Sequence, residues 1–181
     1  TLARVWGWHL SDVDKAVSLL YGWMNQHTGT QIPLVLADLL VHAEQFDDAR
    51  ALLSALLKSK PQDYQVLFRY ASLLAQIKEY ASAAEQFELL VDLKPADGHL
   101  AYLAGQACEQ SGDPDRALEF FTRAVTSIPD SAEIWLSRAR VLFELGQYTE
   151  ASANAAQAAS LIPDWSDAFL LKGMSEIHAE D

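Results

Sequence analysis

The sequence has little cysteine and little positive charge, and each shortage excludes a class of protein. Its single cysteine, Cys108, rules out an intrachain disulfide. Only 13 Lys and Arg residues stand against 25 Asp and Glu residues, which gives a net charge of −12. Phosphate contacts require a basic surface, so neither nucleic acid nor an anionic membrane is an expected partner. An acidic surface suits solubility and apolar or basic partners.

Long apolar runs and catalytic motifs are also missing. The longest stretch without a charged residue, residues 16–37, contains too many amides and hydroxyls to span a membrane. The sequence has no glycine-rich phosphate loop, no nucleophile elbow and no zinc-binding helix motif. Its five histidines have no second histidine or cysteine at ligand spacing. We therefore expect no catalytic residue, no metal and no cofactor, and interpret Cys108 as a small buried side chain.

The sequence does contain a fixed period of 34 residues. Four prolines follow it: Pro61, Pro95, Pro129 and Pro163. Four alanines, each 12 residues before its proline, follow it too: Ala49, Ala83, Ala117 and Ala151. A fixed period of this length indicates a small helical repeat that is copied and stacked. The pattern predicts an all-α fold of helix-turn-helix repeats.

The prolines, set at position 32, divide the chain into repeats. Four full repeats cover residues 30–63, 64–97, 98–131 and 132–165, with a partial repeat at 1–29 and a C-terminal helix at 166–181. Apolar residues recur at three- and four-residue steps, so each repeat is predicted to form two amphipathic helices. Small residues stand at position 8, where the two helices can approach closely: Ala37, Ala71, Gly105, Ala139 and Gly173.

Local signals predict where the helices begin and end. Each proline at position 32 should end a second helix, and Asp63, Asp97 and Ser131 follow two residues later, where they can cap the next helix. Pro33 should set the start of its helix nearby. In the partial repeat, residues 14–26 are predicted to form a second helix with Ala16, Leu20 and Trp23 on one face, after a first helix within residues 1–10. 

Position 15, at the end of each first helix, carries Gly112 and Gly146 in the last two full repeats. A helix end of this kind takes a left-handed residue, which glycine adopts freely. Glu44 and Lys78 occupy the position in the first two repeats, so we expect those turns to be closed differently.

Position 24 carries Ala155 in the fourth repeat, where the earlier repeats have a larger side chain. Two interpretations are open. Either Trp165 and Phe169 fill the space that a larger side chain would occupy, or the alanines of residues 151–159 simply favour helix.

The repeats resemble the tetratricopeptide repeat family. The resemblance rests on residues 67–74 (LFRYASLL), 135–142 (WLSRARVL) and 146–151 (GQYTEA), together with the Ala and Pro columns, and covers 136 residues as full repeats. It implies a right-handed α-solenoid whose first helices line a concave groove. In this family the groove usually holds an extended peptide or a partner helix.

The resemblance implies that positions 2, 5, 6, 9, 12 and 13 supply this groove. Position 5 forms an apolar series: Leu34, Phe68, Tyr102, Leu136 and Leu170. Apolar steps flanked by amides suit a peptide with spaced hydrophobic anchors; alternatively, position 5 packs against the neighbouring repeat. The predicted partner-binding residues are Gln31, Leu34, Asp38, Gln65, Phe68, Arg69, Ser72, Gln76, Tyr102, Gln106, Leu136 and Arg140. Acids outnumber the two cations of the groove, which favours an apolar or basic ligand.

The sequence therefore predicts a non-enzymatic protein-interaction module, a single solenoid domain that is a fragment of a longer protein. Three alternatives stay open: a section of a scaffold that self-associates or continues the solenoid through its ends, a secretion-type chaperone for an apolar client segment, and a regulatory domain attached to an enzyme. The last helix, with Phe169, Leu170, Met174 and Ile177 partly open, is either such an end contact or an amphipathic cap. The sequence predicts no particular partner, and the compartment stays open between cytoplasm, which is favoured, and periplasm.

Overall fold

The structure, a computed structural model, describes residues 13–24 and 29–180, and this part of the chain forms ten helices and no strand. The helices are α1 (Val13–Met24), α2 (Gln31–His42), α3 (Phe46–Ser59), α4 (Tyr64–Gln76), α5 (Tyr80–Leu93), α6 (Gly98–Ser111), α7 (Pro114–Ser127), α8 (Ala132–Glu144), α9 (Tyr148–Leu161) and α10 (Ser166–Ala179). The helix predicted within residues 1–10 lies outside the described residues. The chain divides into an N-terminal body, residues 1–78, and a C-terminal body, residues 79–181.

The helix ends fall where the 34-residue period predicts. The second helices of the four full repeats, α3, α5, α7 and α9, each end two residues before their proline. The carboxylates of Asp63 and Asp97 each accept two backbone N–H groups from the first turn of the next helix, which confirms them as caps. Ser131 precedes α8 without a capping hydrogen bond from its side chain, so that prediction is wrong. Helix α2 begins two residues before Pro33.

In the N-terminal body each helix packs against the next, from α1 to α4. Ala16 and Leu20 of α1 are buried in the shared core, as their spacing predicts. Trp23, predicted on the same face, is 38% exposed. The rest of this core comes from α2, α3 and α4, and its largest fully buried side chains are Leu34, Leu36, Leu39, Leu40, Leu53 and Leu73.

In the C-terminal body the helices also pack in chain order, from α5 to α10. The closest contact joins Gly105 of α6 to Phe121 of α7. A Cβ atom at position 105 would lie 2.6 Å from the Phe121 ring. The ring of Tyr102 lies beside the same phenyl ring, with 5.8 Å between the centroids. The absence of a side chain at position 8 therefore allows α6 and α7 to enclose an aromatic ring.

A large side chain that follows the alanine-rich helix α9, that of Trp165, packs against the end of this helix. Trp165 packs against a cluster of small residues and one leucine, whereas Phe169 is 52% exposed. The members of the cluster are Ala132, Leu136, Ala158, Ala159 and Ala168. Trp165 thus packs against Ala158 and Ala159 at the end of α9. Ala155 is not part of this cluster, so the filling of the space beside Ala155 by Trp165 stays a prediction.

The turn at position 15 is the same in all four full repeats. Glu44 and Lys78 have φ angles of 59° and 64°, close to the 79° of Gly112 and the 73° of Gly146. In the repeats of Glu44, Gly112 and Gly146, the following residue donates its N–H to the carbonyl of position 11 at 2.9–3.0 Å. The expectation that Glu44 and Lys78 close their turns differently is wrong. This helix end imposes a left-handed residue whichever side chain stands there.

Because a non-glycine residue in the left-handed region is strained, Glu44→Gly and Lys78→Gly should each stabilise the protein. We expect a gain of about 0.5–1 kcal/mol in the free energy of unfolding per substitution, after the added chain entropy of glycine is subtracted. Urea denaturation monitored by circular dichroism measures it. Gly112→Ala, the reverse change, should destabilise the protein. A loss of stability in both Glu44→Gly and Lys78→Gly would contradict the strain argument.

The Gly105 contact makes a second prediction. Gly105→Ala places a methyl group against the Phe121 ring and should lower the free energy of unfolding by about 1–3 kcal/mol, although alanine is the better helix former. Gly173 stands at the same repeat position in α10, where an added Cβ would have no neighbour within 4 Å. Gly173→Ala should therefore stabilise, and equal effects of the two substitutions would rule out the steric explanation.

Candidate partner-binding site

A cavity of about 370 Å³ opens in the N-terminal body among α2, α3 and α4. Five of the predicted partner-binding residues line it: Asp38, Phe68, Arg69, Ser72 and Gln76. The other lining residues are Ala37, Val41, Leu53 and Leu73. Residues at positions 5, 6, 9 and 13 of α4 meet position 9 of α2 here, because first helices of neighbouring repeats stand side by side.

The inner wall of this cavity is apolar and tightly held. Ala37, Leu53 and Leu73 are each at most 1% exposed, so their side chains are fixed by the core behind them. Phe68 is half-buried, and its ring stacks on that of Tyr64 with 6.2 Å between the centroids. A rigid apolar concavity of this kind is suited to receive an apolar side chain.

The rim of the cavity is polar, but its opposite charges pair with one another. Arg69 forms a two-pronged ion pair with Asp38, with Nε 2.8 Å from Oδ1 and Nη2 3.2 Å from Oδ2. Both side chains are about one-third exposed. The hydroxyl of Ser72 donates to the carbonyl of Phe68 at 2.8 Å, which leaves its lone pairs free to accept. The rim therefore offers polar contacts without a net charge.

A second and smaller cavity, of about 210 Å³, lies between α8 and α10 in the C-terminal body. Its lining residues are Leu136, Arg140, Asp167, Leu170, Leu171 and Met174. Arg140 approaches Glu109 with 3.3 Å between Nε and Oε1, and its Nη2 donates to Ser137 at 3.1 Å. Burial raises the pKa of the Glu109 carboxyl, and the Arg140 guanidinium opposes that shift.

The structure thus separates the predicted residues into groups. Gln31 and Gln65 are joined by a long hydrogen bond of 3.4 Å, outside both cavities. Tyr102 and Gln106 are half-buried on α6 and line neither cavity. Of the predicted partner-binding residues, only Leu136 and Arg140 line the smaller cavity.

The series at position 5 differs from the expected exposed row. Leu34 is 2% exposed and Leu136 is 5% exposed, so both side chains belong to the core, as the alternative interpretation of position 5 has it. Phe68 and Tyr102 are half-buried, and Leu170 is 64% exposed. The exposure of position 5 therefore differs from repeat to repeat.

Some cavity residues were not singled out from sequence. Val41 occupies position 12, and Met174, named from sequence only as partly open on the last helix, occupies position 9, so applying the groove positions to every first helix would have found both. Leu53 belongs to a second helix, and no groove position of the repeat indicates it. Ala37 was predicted only as a small residue between helices and Leu73 was given no role, because a wall residue has the same apolar pattern as a core residue.

None of the described helices combines the length and apolar character needed to cross a membrane. Within residues 13–24 and 29–180, no three His, Cys, Asp or Glu side chains are grouped to hold a metal ion. Cys108 is fully buried, and burial raises the pKa of its thiol to about 11.

Two family models described as tetratricopeptide repeat match this chain. One matches residues 34–98 and 83–132, and the other matches residues 109–174. The matches span more than half of the sequence and coincide with the repeats described above. The chain belongs to the tetratricopeptide repeat family, whose repeats typically serve as protein-interaction modules.

Similar proteins include sequence relatives and solved structures. The chain is 25% identical over 143 residues to the mouse protein O-mannosyl-transferase TMTC1, and the match spans 77% of the chain but 15% of that protein. MamA from Desulfovibrio magneticus RS-1 superposes with a TM-score of 0.77 at 18% identity, over 91% of this chain and 96% of that one. The crystal structure of YrrB, described as a TPR protein with an unusual peptide-binding site, superposes with a TM-score of 0.77 at 20% sequence identity. The match covers 89% of this chain and 84% of that one.

The environment of Cys108 makes a chemical prediction. A thiol that is fully buried, with a pKa of about 11, is almost entirely protonated at neutral pH and closed to reagents. Ellman's reagent at pH 8 should react with the native protein at least 100-fold more slowly than with the protein unfolded in guanidinium chloride. Reaction of the native protein at the rate of the unfolded chain would contradict the assignment of Cys108 to the core.

Proposed function

We propose that this chain is a non-enzymatic peptide-binding module, and that the cavity lined by Phe68, Arg69 and Ser72 holds an apolar side chain of a partner. It acts as a preformed surface and requires no cofactor. The observation that carries the proposal is that five residues chosen from sequence as groove residues line one open apolar cavity. The peptide-binding site in the description of YrrB, a protein of the same fold, also supports it.

The size and lining of the cavity favour one kind of anchor. A volume of about 370 Å³ accommodates a leucine, methionine or aromatic side chain. The exposed Gln76 amide and the Ser72 hydroxyl stand at the rim, where they can bond to the backbone of an extended segment or to the polar face of a helix. Apolar burial supplies affinity in such a site, and the rim contacts fix direction.

The distribution of charge refines the expected ligand. Residues 1–78 contain seven acidic and seven basic residues, whereas residues 79–181 contain 18 acidic and six basic residues. The whole net charge of −12 therefore belongs to the C-terminal body. The cavity of the N-terminal body lies in the neutral part of the chain, with its own Asp38 and Arg69 paired. We propose an apolar anchor for this cavity, where the paired charges of the rim give no preference for a basic ligand.

The test fills the cavity and removes only one hydroxyl, that of Ser72, which donates to a carbonyl of its own helix. Ser72→Met places a long apolar side chain at the rim of the cavity. Peptides selected from a random library on the unmodified chain should bind Ser72→Met at least 10-fold more weakly, as measured by isothermal titration calorimetry. The selected peptides should share a large apolar residue.

Ser54→Met is the matched control. Ser54 is also a helical serine of the N-terminal body whose hydroxyl bonds to its own helix, and it lies outside the cavity. Peptide affinity should be unchanged in this variant, and circular dichroism should show both variants folded. Equal affinity of the peptides for the Ser72→Met variant and the unmodified chain would rule out the cavity as the binding site.

A further inference from the structure

The cavity of the N-terminal body has a charged end and an uncharged end. Gln31 bonds to Gln65 near the starts of α2 and α4. Further along both helices Asp38 bonds to Arg69, so α2 and α4 run side by side in the same direction. The ion pair therefore stands at the end of the cavity nearer the helix starts. Gln76 lines the cavity about 10 Å further along α4, at a rise of about 1.5 Å per residue.

The charges at the first end are satisfied by each other. Among the described residues that line the cavity, only Asp38 and Arg69 are charged. Nε and Nη2 of Arg69 are 2.8 Å and 3.2 Å from the two carboxylate oxygens of Asp38, so each charge has its counter-ion. Both side chains are only about one-third exposed, and water screens them incompletely. A charged ligand residue at this end would lose water without gaining an unpaired opposite charge.

The second end of the cavity neither attracts nor opposes a charge. Val41, Ser72 and Gln76 line it with methyl, hydroxyl and amide groups. The side chain of Gln76 is exposed, so a ligand residue beside it stays in contact with water. The residues on the two sides of an apolar anchor therefore meet different surroundings, and only one of these sides meets the ion pair.

We propose that Asp38 and Arg69 determine which charge a ligand carries beside its apolar anchor. As a pair they select a segment with an uncharged residue on one side of the anchor and leave the other side unrestricted. The proposal rests on the proposed function, because it concerns the same cavity. Without its partner, Asp38 favours a basic residue on the selective side and Arg69 favours an acidic one.

The probe is one peptide selected from a random library on the unmodified chain. The residue next to its apolar anchor is replaced by Lys, Glu or Gln, on one side at a time. Isothermal titration calorimetry at physiological ionic strength then measures Kd with the full chain. On one side Lys and Glu should each weaken binding about 5-fold or more relative to Gln. On the other side the three peptides should bind within about 2-fold of one another, since exposed charges there stay solvated.

Two variants of the chain should convert the preference in opposite directions. Arg69→Gln leaves the Asp38 carboxylate without its cation, so Kd for the Lys peptide should fall about 5-fold or more relative to Kd for the Glu peptide. Asp38→Asn should change the same ratio in the other direction. Raised salt should reduce both changes, because it screens an unpaired charge. A purely structural role of the two residues would give neither the opposite signs nor the salt dependence.

Arg116→Gln and Glu88→Gln are the matched controls. Arg116 and Glu88 form an ion pair of 2.6 Å in the C-terminal body, outside the cavity. These substitutions change the net charge of the chain by the same amounts as Arg69→Gln and Asp38→Asn, and they should leave the ratio of Kd values unchanged. The double variant with Asp38→Asn and Arg69→Gln has an uncharged rim, so its ratio should equal that of the unmodified chain.

The outcomes separate this proposal from the proposed function. If no peptide is selected, or if Ser72→Met does not weaken binding, both are overturned. If peptides bind in the cavity but Lys and Glu are tolerated equally on both sides of the anchor, only the present proposal fails. It also fails if Arg69→Gln and Asp38→Asn give the same ratio as their controls. Circular dichroism checks that each variant is folded, and either single variant carries the test if the other does not fold.

Discussion

The close approach of the two helices of a repeat depends on the small residue at position 8 of the first helix. Gly105 and Phe121 show it most clearly, because the ring occupies the space that any side chain at position 105 would need. The helix separation within that repeat is set by this contact, and Tyr102 can then pack on the same ring. Position 8 is Ala or Gly in every repeat because a larger residue would force the helices apart.

Much of the fold could be predicted because residue types that mark helix ends and helix contacts recur at the same positions of the four full repeats. The prolines at position 32 and the acids Asp63 and Asp97 mark helix ends through their own chemistry, so residue type alone was sufficient. Glu44 and Lys78 were misjudged for the opposite reason. Their left-handed conformation is imposed by the hydrogen bonds of the helix end, and its cost is carried by the packing of the helices on either side. Ser131 shows that a capping residue type does not guarantee a cap.

The candidate site could be predicted less fully than the fold. Phe68, Arg69 and Asp38 were found because their repeat positions place them on the open side of adjacent first helices. Leu34 and Leu136 occupy an equivalent position and are nevertheless buried. The repeat pattern indicates the direction of a side chain, but its exposure also depends on the packing of the adjoining helices, which the 34-residue period does not specify. Leu53 was missed because a cavity wall formed by a second helix has no polar pattern of its own.

The charge of the chain is distributed unevenly between its two bodies. In the N-terminal body the ion pair of Asp38 and Arg69 cancels the charge at the cavity rim, so affinity at the proposed site depends on the burial of apolar area. The C-terminal body carries 18 acids and six bases, so long-range attraction there favours basic ligands. Raised salt should therefore leave the binding of an apolar anchor at the cavity nearly unchanged, since screening acts on net charge and not on buried area.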